Sequence, residues 1–141
     1  MNMDKNNQNN SSQSTNIECR FCGIPSDHPR LMLSGEKGFA LWDRNPASDG
    51  HFVVIPNRHF SDYFDIDDDE VVDLWSLVKQ GKEVVESKYH PDGYNIGINV
   101  GEMAGQSIFH LHIHVIPRYK GDVDNPRGGV RGVIPDKKLY S

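Results

Sequence analysis

Apolar and polar positions alternate along this chain in several rhythms, and the rhythm changes where the elements change. Residues 39–42 form a short apolar run. Residues 43–50 follow, rich in Asp, Asn, Pro, Ser and Gly, and read as a loop. Residues 51–56 (HFVVIP) are dense in β-branched and aromatic side chains and close on a proline, which predicts a strand. From Asp67 to about Tyr89 the period lengthens. Val71, Leu74, Trp75 and Val78 recur at helical spacing, and Val85 follows a heptad later. Asp67 with Glu70 three residues on has the form of a capping box, and acids fill the first turn, where the helix dipole favours them. Pro91-Asp92-Gly93 ends this helix. In residues 94–100 (YNIGINV), Tyr94, Ile96, Ile98 and Val100 take one face of a predicted strand, and Asn95, Gly97 and Asn99 the other. A Gly-containing loop then leads into residues 107–117 (SIFHLHIHVIP), a second alternating segment. Residues 127–141 mix a Gly-Gly pair, a short apolar run and basic side chains, and support no assignment. The order strand, strand, long helix, strand, strand predicts an α+β fold on an antiparallel sheet, because a parallel sheet would interleave its helices between strands. An exposed outer strand and a marginal core suit a homodimer.

Composition changes this picture mainly at one end. The hydrophobic share is 36% of 141 residues, and the deficit is concentrated in residues 1–16, where Asn, Gln and Ser dominate. Such a stretch cannot bury enough surface to offset the entropy of ordering it, so a disordered tail is expected there. It has no apolar h-region and does not read as a secretory signal. No later run approaches the roughly 20 apolar residues of a membrane helix. A soluble, cytoplasmic protein is the expectation, with one folded domain over 17–121 and a C-terminal extension over 122–141. The net charge of −5 argues against a nucleic-acid partner, and the acidic run from Asp62 to Asp73 reads as a solvated helix start.

Candidate chemistry is concentrated in His110-Leu-His112-Ile-His114. On a strand, residues i, i+2 and i+4 share a face, so three imidazoles would line one site while Leu111, Ile113 and Val115 face the core. At about 3.4 Å per residue, His110 and His114 lie roughly 13 Å apart at their backbones. One ion with metal–nitrogen bonds of about 2 Å could take two neighbouring histidines but hardly all three. Nucleophilic catalysis explains the set better: a neutral imidazole is available near pH 7 and can attack phosphorus. Gly105-Gln106-Ser107 offers polar donors beside it, though the tripeptide alone also reads as an ordinary hairpin loop. The chain's two cysteines, Cys19 and Cys22, have the spacing of a metal or redox pair.

The run HLHIHVI resembles the signature of the histidine-triad (HIT) family, an imidazole alternating with apolar residues. The likeness extends to GHFVVIPNRH (residues 50–59), Asn99, AGQS (104–107) and IPRY (116–119), and covers roughly 19–119. It implies an antiparallel sheet with one long helix, continued across a homodimer. It implies a nucleotide hydrolase acting at the α-phosphate of a purine nucleotide conjugate, either a dinucleoside polyphosphate or a nucleoside phosphoramidate. The implied nucleophile is His112, which forms a covalent nucleotidyl-histidine and then releases the nucleoside monophosphate. His114 and His51 would orient around the phosphate with His110 beside them. Asn99, Gln106 and Ser107 would contact phosphate oxygens or the leaving group. Asp43 would hold the ribose hydroxyls, and Phe21, Ile24 and Leu41 the base.

Members with an N-terminal Cys-x-x-Cys imply a structural zinc. The matching ligands here are Cys19, Cys22, His59 and His110, and no organic cofactor is implied. Transferase and phosphorylase relatives carry glutamine at the third histidine position, so His114 favours water as the acceptor. A nucleotidyltransferase, a non-catalytic nucleotide-binding or scaffold protein and a dedicated metal-binding protein are the competing readings. Arg118, Lys120, Arg127 and Arg131 are available to neutralise extra phosphates, against a simpler role in surface solvation. His28 and His90 match nothing and are read as surface residues.

Overall fold

The structure, a computed structural model, describes residues 19–140, so the tail expected over 1–16 lies outside the described residues. Five strands pair antiparallel in the order β1-β2-β3-β5-β4. They are β1 (Leu31–Ser34), β2 (Gly38–Trp42), β3 (Phe52–Pro56), β4 (Gly93–Gly97) and β5 (Ile113–Arg118), with one α-helix, α1 (Asp68–Lys88), between β3 and β4. The α+β class and the single long helix are as expected. The first strand is not, because LMLS is short, lies at the sheet edge and has no alternation in its burial. A tight connection, with the Gly35 N–H donating to the Gly38 carbonyl at 2.7 Å, folds it back on β2.

The sheet separates two cores. Ala40, Phe52, Val54, Leu111, Ile113 and Val115 pack toward α1, against Leu74, Leu77, Val78 and Val85. Phe39, Leu41, Val53 and Ile55 point the other way and are covered by Phe21, with Cys19, Ile24 and Ile108 around them. β3 is therefore buried on both faces and reads as a continuous apolar run. The capping reading of α1 holds on the Glu70 side: the Asp67 N–H donates to Glu70 Oε1 at 2.9 Å. The buried stripe runs Glu70, Leu74, Leu77, Val78, Gly81, Val85. Gly81 sits in it because a methyl there would overlap the ring of Phe52.

Two strands end differently from the pattern. β5 begins at Ile113 rather than Ser107, since its ladder with β3 holds only for Phe52↔Val115, Val53↔His114 and Val54↔Ile113. Continuing it would set Leu111 against Pro56, which has no N–H to give. The Pro56 carbonyl instead faces the His110 ring, Nε2 to O 2.8 Å. β4 stops at Gly97, opposite His114, and residues 98–100 leave the ladder. Residues after β5 form short 3-10 turns at Gly129–Val133 and Pro135–Lys137. Among the described residues, no helix is long and apolar enough to cross a membrane.

Candidate active site

The register of β5 decides which face its histidines take. His114 is paired with Val53, and residues paired across a ladder share a face, so His114 and His112 lie on the side away from α1. Phe21 meets the His112 ring edge-on at 5.1 Å between centroids, and the His112 and His114 rings are 4.8 Å apart. They border a cleft of about 350 Å³ that also takes in Phe21, Asp43, Asn99 and Ser107. Leu111, Ile113 and Val115 fill the opposite face, as the alternation predicts.

Hydrogen bonds to the backbone assign the tautomers. His112 Nδ1 lies 2.9 Å from the His110 carbonyl, which can only accept, so Nδ1 carries the proton and Nε2 keeps its lone pair. On the other side, the Ala47 N–H donates to His51 Nδ1 at 2.9 Å, which puts the proton of a neutral His51 on Nε2. That Nε2 is 3.0 Å from His114 Nδ1 and 3.4 Å from Asp43 Oδ2. With its Nδ1 accepting, neutral His114 carries its proton on Nε2. The cleft is thus flanked by one imidazole lone pair, on His112, and one imidazole N–H, on His114.

Burial keeps these rings neutral. It lowers His112 below the ordinary imidazole range, against the opposing pull of the His110 carbonyl and Asp43. His114 falls to about 4, first through burial and then through the neighbouring His112 and His51. His51 is lowered by burial, with Asp43 opposing.

A second cluster lies next to the first. Cys19, Cys22, His59 and His110 bring their ligand atoms within 4.8 Å of one another. His110 Nδ1 is 3.4 Å from Cys19 Sγ, 3.6 Å from Cys22 Sγ and 3.1 Å from His59 Nδ1, and Cys22 Sγ is 3.3 Å from His59 Nδ1. Metal–sulfur and metal–nitrogen bonds of about 2.3 and 2.05 Å in a tetrahedron set these separations at about 3.6 Å for S–N and 3.3 Å for N–N. The group therefore fits a tetrahedral metal centre. His110 Nε2 donates to the Pro56 carbonyl, which turns the Nδ1 lone pair to the thiols, the outer-shell arrangement of metal-bound imidazoles. Burial and the Cys19 thiol push the Cys22 thiol up to about 11, a proton that a bound cation would displace. Asp43, His51 and His114 also converge within 4.8 Å. A metal there would need the His51 nitrogen that carries the proton, so the tautomers favour the His51–His114 hydrogen bond, with the Asp43 carboxylate beside it.

Not every expected residue reaches the cleft. Phe21, Asp43, Asn99, Ser107, His112 and His114 line it, whereas Gln106, Ile24 and Leu41 do not. Gln106 is buried, and its amide is committed inside the fold. Oε1 accepts from the Gly101 N–H at 2.9 Å, and Nε2 donates to the Ser61 and Ile108 carbonyls at 3.0 and 3.2 Å. It shapes the loop that presents Ser107. Leu41 is fully buried beneath the cleft, and Ile24 packs on the same core. His51 stands behind His114, and His110 belongs to the thiol cluster. His28 takes a local bond from the Arg30 N–H at 3.1 Å. The charged residues of the cleft were missed: Arg20, Arg30 and Arg44 line it, and Arg118, Lys120, Arg127 and Arg131 do not. Arg118 is tied to Asp122 and Asn95, and Arg131 to the Lys137 carbonyl. No local pattern marked the first three, since the segment before β1 and the loop after β2 bring them together.

Comparisons with known proteins agree with this geometry. The HIT-domain family profile matches residues 28–121. The chain is 37% identical over 124 residues to an uncharacterized HIT-like protein of Methanocaldococcus jannaschii, covering 86% of this chain and 95% of that one. It is 37% identical over 95 residues to the bis(5'-adenosyl)-triphosphatase of Dictyostelium discoideum, covering 67% and 64%. Among solved structures it resembles a zinc-bound histidine triad family protein from Mycobacterium smegmatis, with a TM-score of 0.63 and 34% identity over 76% of this chain and 79% of that one. With its profile matched over more than half of its length and its imidazoles gathered as the motif requires, the chain belongs to the HIT-domain family.

Proposed function

We propose that this protein hydrolyses purine nucleotide conjugates at the α-phosphate through a nucleotidyl-His112 intermediate. The observation that carries the reading is the bond from His112 Nδ1 to the His110 carbonyl, which leaves Nε2 as a lone pair on a ring bordering the cleft. In the first step Nε2 attacks phosphorus, and the bond from phosphorus to the leaving oxygen or nitrogen breaks. The His114 Nε2–H donates a hydrogen bond to the departing atom, which takes its proton from solvent, and the His51 Nε2–H holds His114 in that tautomer. In the second step water adds to phosphorus and gives up its proton to solvent, and the P–N bond to His112 breaks, which restores the neutral ring and releases the nucleoside monophosphate. In this reading Ser107 and Asn99 meet the phosphate oxygens, Asp43 the ribose hydroxyls and Phe21 the base, and what supports it is that all four line the cleft.

Zinc at Cys19, Cys22, His59 and His110 has a structural role in this reading. The four protein ligands leave no open position. The ion ties the N-terminal turn to the segment that carries the nucleophile. A homodimer belongs to the proposal as well, with β4 the edge strand at which a second sheet would join.

The test compares wild type with His112→Gly on adenosine 5′-phosphoramidate and on diadenosine tri- and tetraphosphate, with mass spectrometry for an adenylylated His112. Turnover and adduct in wild type, neither in the variant and metal content equal in both are expected. Equal activity in the two proteins removes His112 as nucleophile. Nucleotide binding without turnover in either points to a non-catalytic binder.

A further inference from the structure

Cys19 and Cys22 stand at the two ends of one turn, closed by the Cys22 N–H donating to the Cys19 carbonyl at 3.3 Å. Their sulfur atoms lie within 4.8 Å of each other, close enough for side-chain rotation to join them. The chain has no other cysteine, so the pair has no competing thiol within it. The cluster these thiols share with His59 and His110 is anchored inward by His110, which is fully buried, and is open on its other side. Both cysteines are partly exposed and His59 is exposed, so a dissolved oxidant reaches the sulfurs without unfolding the chain.

The same turn is a wall of the cleft. The residues between the cysteines are Arg20 and Phe21, and both line it. Phe21 meets the His112 ring at 5.1 Å and the His110 ring at 6.1 Å between centroids, edge-on in both cases. His110 in turn holds the Nδ1 proton of His112 through its carbonyl at 2.9 Å. The state of the sulfurs therefore reaches the His112 ring by two routes, the Phe21 ring and the His110 backbone. We propose that Cys19 and Cys22 are a reversible oxidation site, at which a hydroperoxide forms a disulfide, releases the metal and withdraws Phe21 from His112. Cys22, beside the exposed His59, reacts first. Its sulfur attacks the peroxide, the O–O bond breaks, and a sulfenic acid forms while the departing oxygen takes a proton from solvent. The Cys19 sulfur then displaces hydroxide from the Cys22 sulfur, which makes the S–S bond, and the hydroxide is protonated by solvent. An electron pair passes from the thiolates to the peroxide. The metal centre loses both anionic ligands and keeps only two imidazoles. The effect on the cleft rests on the nucleotide reading above, whereas the oxidation does not.

Hydrogen peroxide added in small excess to the zinc-loaded full chain tests this, with released zinc followed by a chromophoric chelator and the sulfurs by peptide mass mapping. Zinc release in step with a Cys19–Cys22 disulfide is expected, and a phosphine reductant with added zinc should restore the starting state. The His112 ring proton resonances, which the Phe21 ring current shifts, should move on oxidation and return on reduction. Calorimetric affinity for AMP should fall by about threefold to tenfold, the worth of one aromatic contact. In Cys22→His, which keeps a metal ligand but leaves a single sulfur, the same peroxide should leave zinc bound; the wild-type mass map decides if that variant holds no metal. Zinc retained by wild type with its thiols intact, or oxidation to a sulfinic acid that the phosphine does not reverse, overturns the proposal. Disulfide formation with the His112 resonances unmoved overturns it as well. Failure of AMP to bind the reduced protein has a different signature: it removes the nucleotide reading, while zinc release and the mass map still decide the oxidation site.

Discussion

Glu70 is 4% exposed, yet it is a carboxylate in the buried stripe of α1, so its removal should cost more than a surface charge. Its oxygens meet Arg58 twice, Nε to Oε2 at 3.2 Å and Nη2 to Oε1 at 2.8 Å, and Oε1 also accepts the Asp67 N–H at 2.9 Å. Arg58's hydrogen bond holds the Glu70 carboxyl below the usual range despite its burial. The same guanidinium lies 4.0 Å over the Phe60 ring and donates to the Asp65 carbonyl, so it straps the segment carrying His59 to the start of α1. In Glu70→Ala, losing the pair costs about 1 kcal/mol after allowance for the half-exposed Arg58, and losing the cap about 1 kcal/mol more. At about 2.1 cal/mol/K per residue for a domain of this size, a loss of about 2 kcal/mol lowers Tm by roughly 8 °C. Urea titrations of Glu70→Ala, Arg58→Ala and the double variant should give a coupling energy of about 1 kcal/mol. Because Arg58 precedes His59, a member of the thiol–imidazole cluster, apparent zinc affinity should fall in either single variant. A coupling energy below about 0.3 kcal/mol, with zinc affinity unchanged, would refute the strap.

Three other outcomes follow from the same contacts. His51 and His114 are held below their ordinary pKa, so the unfolded chain binds more protons between about 4 and 6.5. Their contribution to stability is therefore complete above pH 6.5 and is lost as pH falls toward 4. Denaturant midpoints across that window check this, and a midpoint independent of pH would contradict it. Gly81→Ala should destabilise the fold by about 1–2 kcal/mol, since crowding Phe52 outweighs the helix propensity gained; a thermal melt with a raised Tm would show that the ring yields. Removing metal with a chelator should lower Tm and expose Cys19 and Cys22 to thiol reagents, with His112 still present but turnover reduced. Thiol reactivity and Tm unaffected by chelation would exclude a resident ion.

Much of the architecture could be read from local patterns. HFVVIP, the helical stripe from Leu74 to Val85 and the alternation of imidazole with Leu111 and Ile113 each record a single element's burial, and strand and helix periods are local properties of the backbone. The same periodicity assigned the histidines to one face before any partner was known. β1 escaped notice because a four-residue edge strand buries too little to leave a period. The ends of β4 and β5 depended on which residue lay opposite, and only the ladder places Leu111 against an N–H that Pro56 lacks.

The site divides in the same way. Sequence by itself determined which residue types were available: three imidazoles, a thiol pair, a serine and an asparagine beside them, and a helix with its cap. Tertiary structure alone decided the division of labour. It brought Cys19 to His110 across 91 residues, turned Gln106 inward to hold a loop, buried Leu41 and brought Arg20, Arg30 and Arg44 to the lining of the cleft. The protons of His112 and His114 were decided there too, by the His110 carbonyl and the Ala47 N–H. The physical reason is reach. A repeating pattern encodes contacts a few residues away, whereas a ring's tautomer, a ligand's lone pair and a guanidinium's partner depend on whatever folding places within about 3 Å.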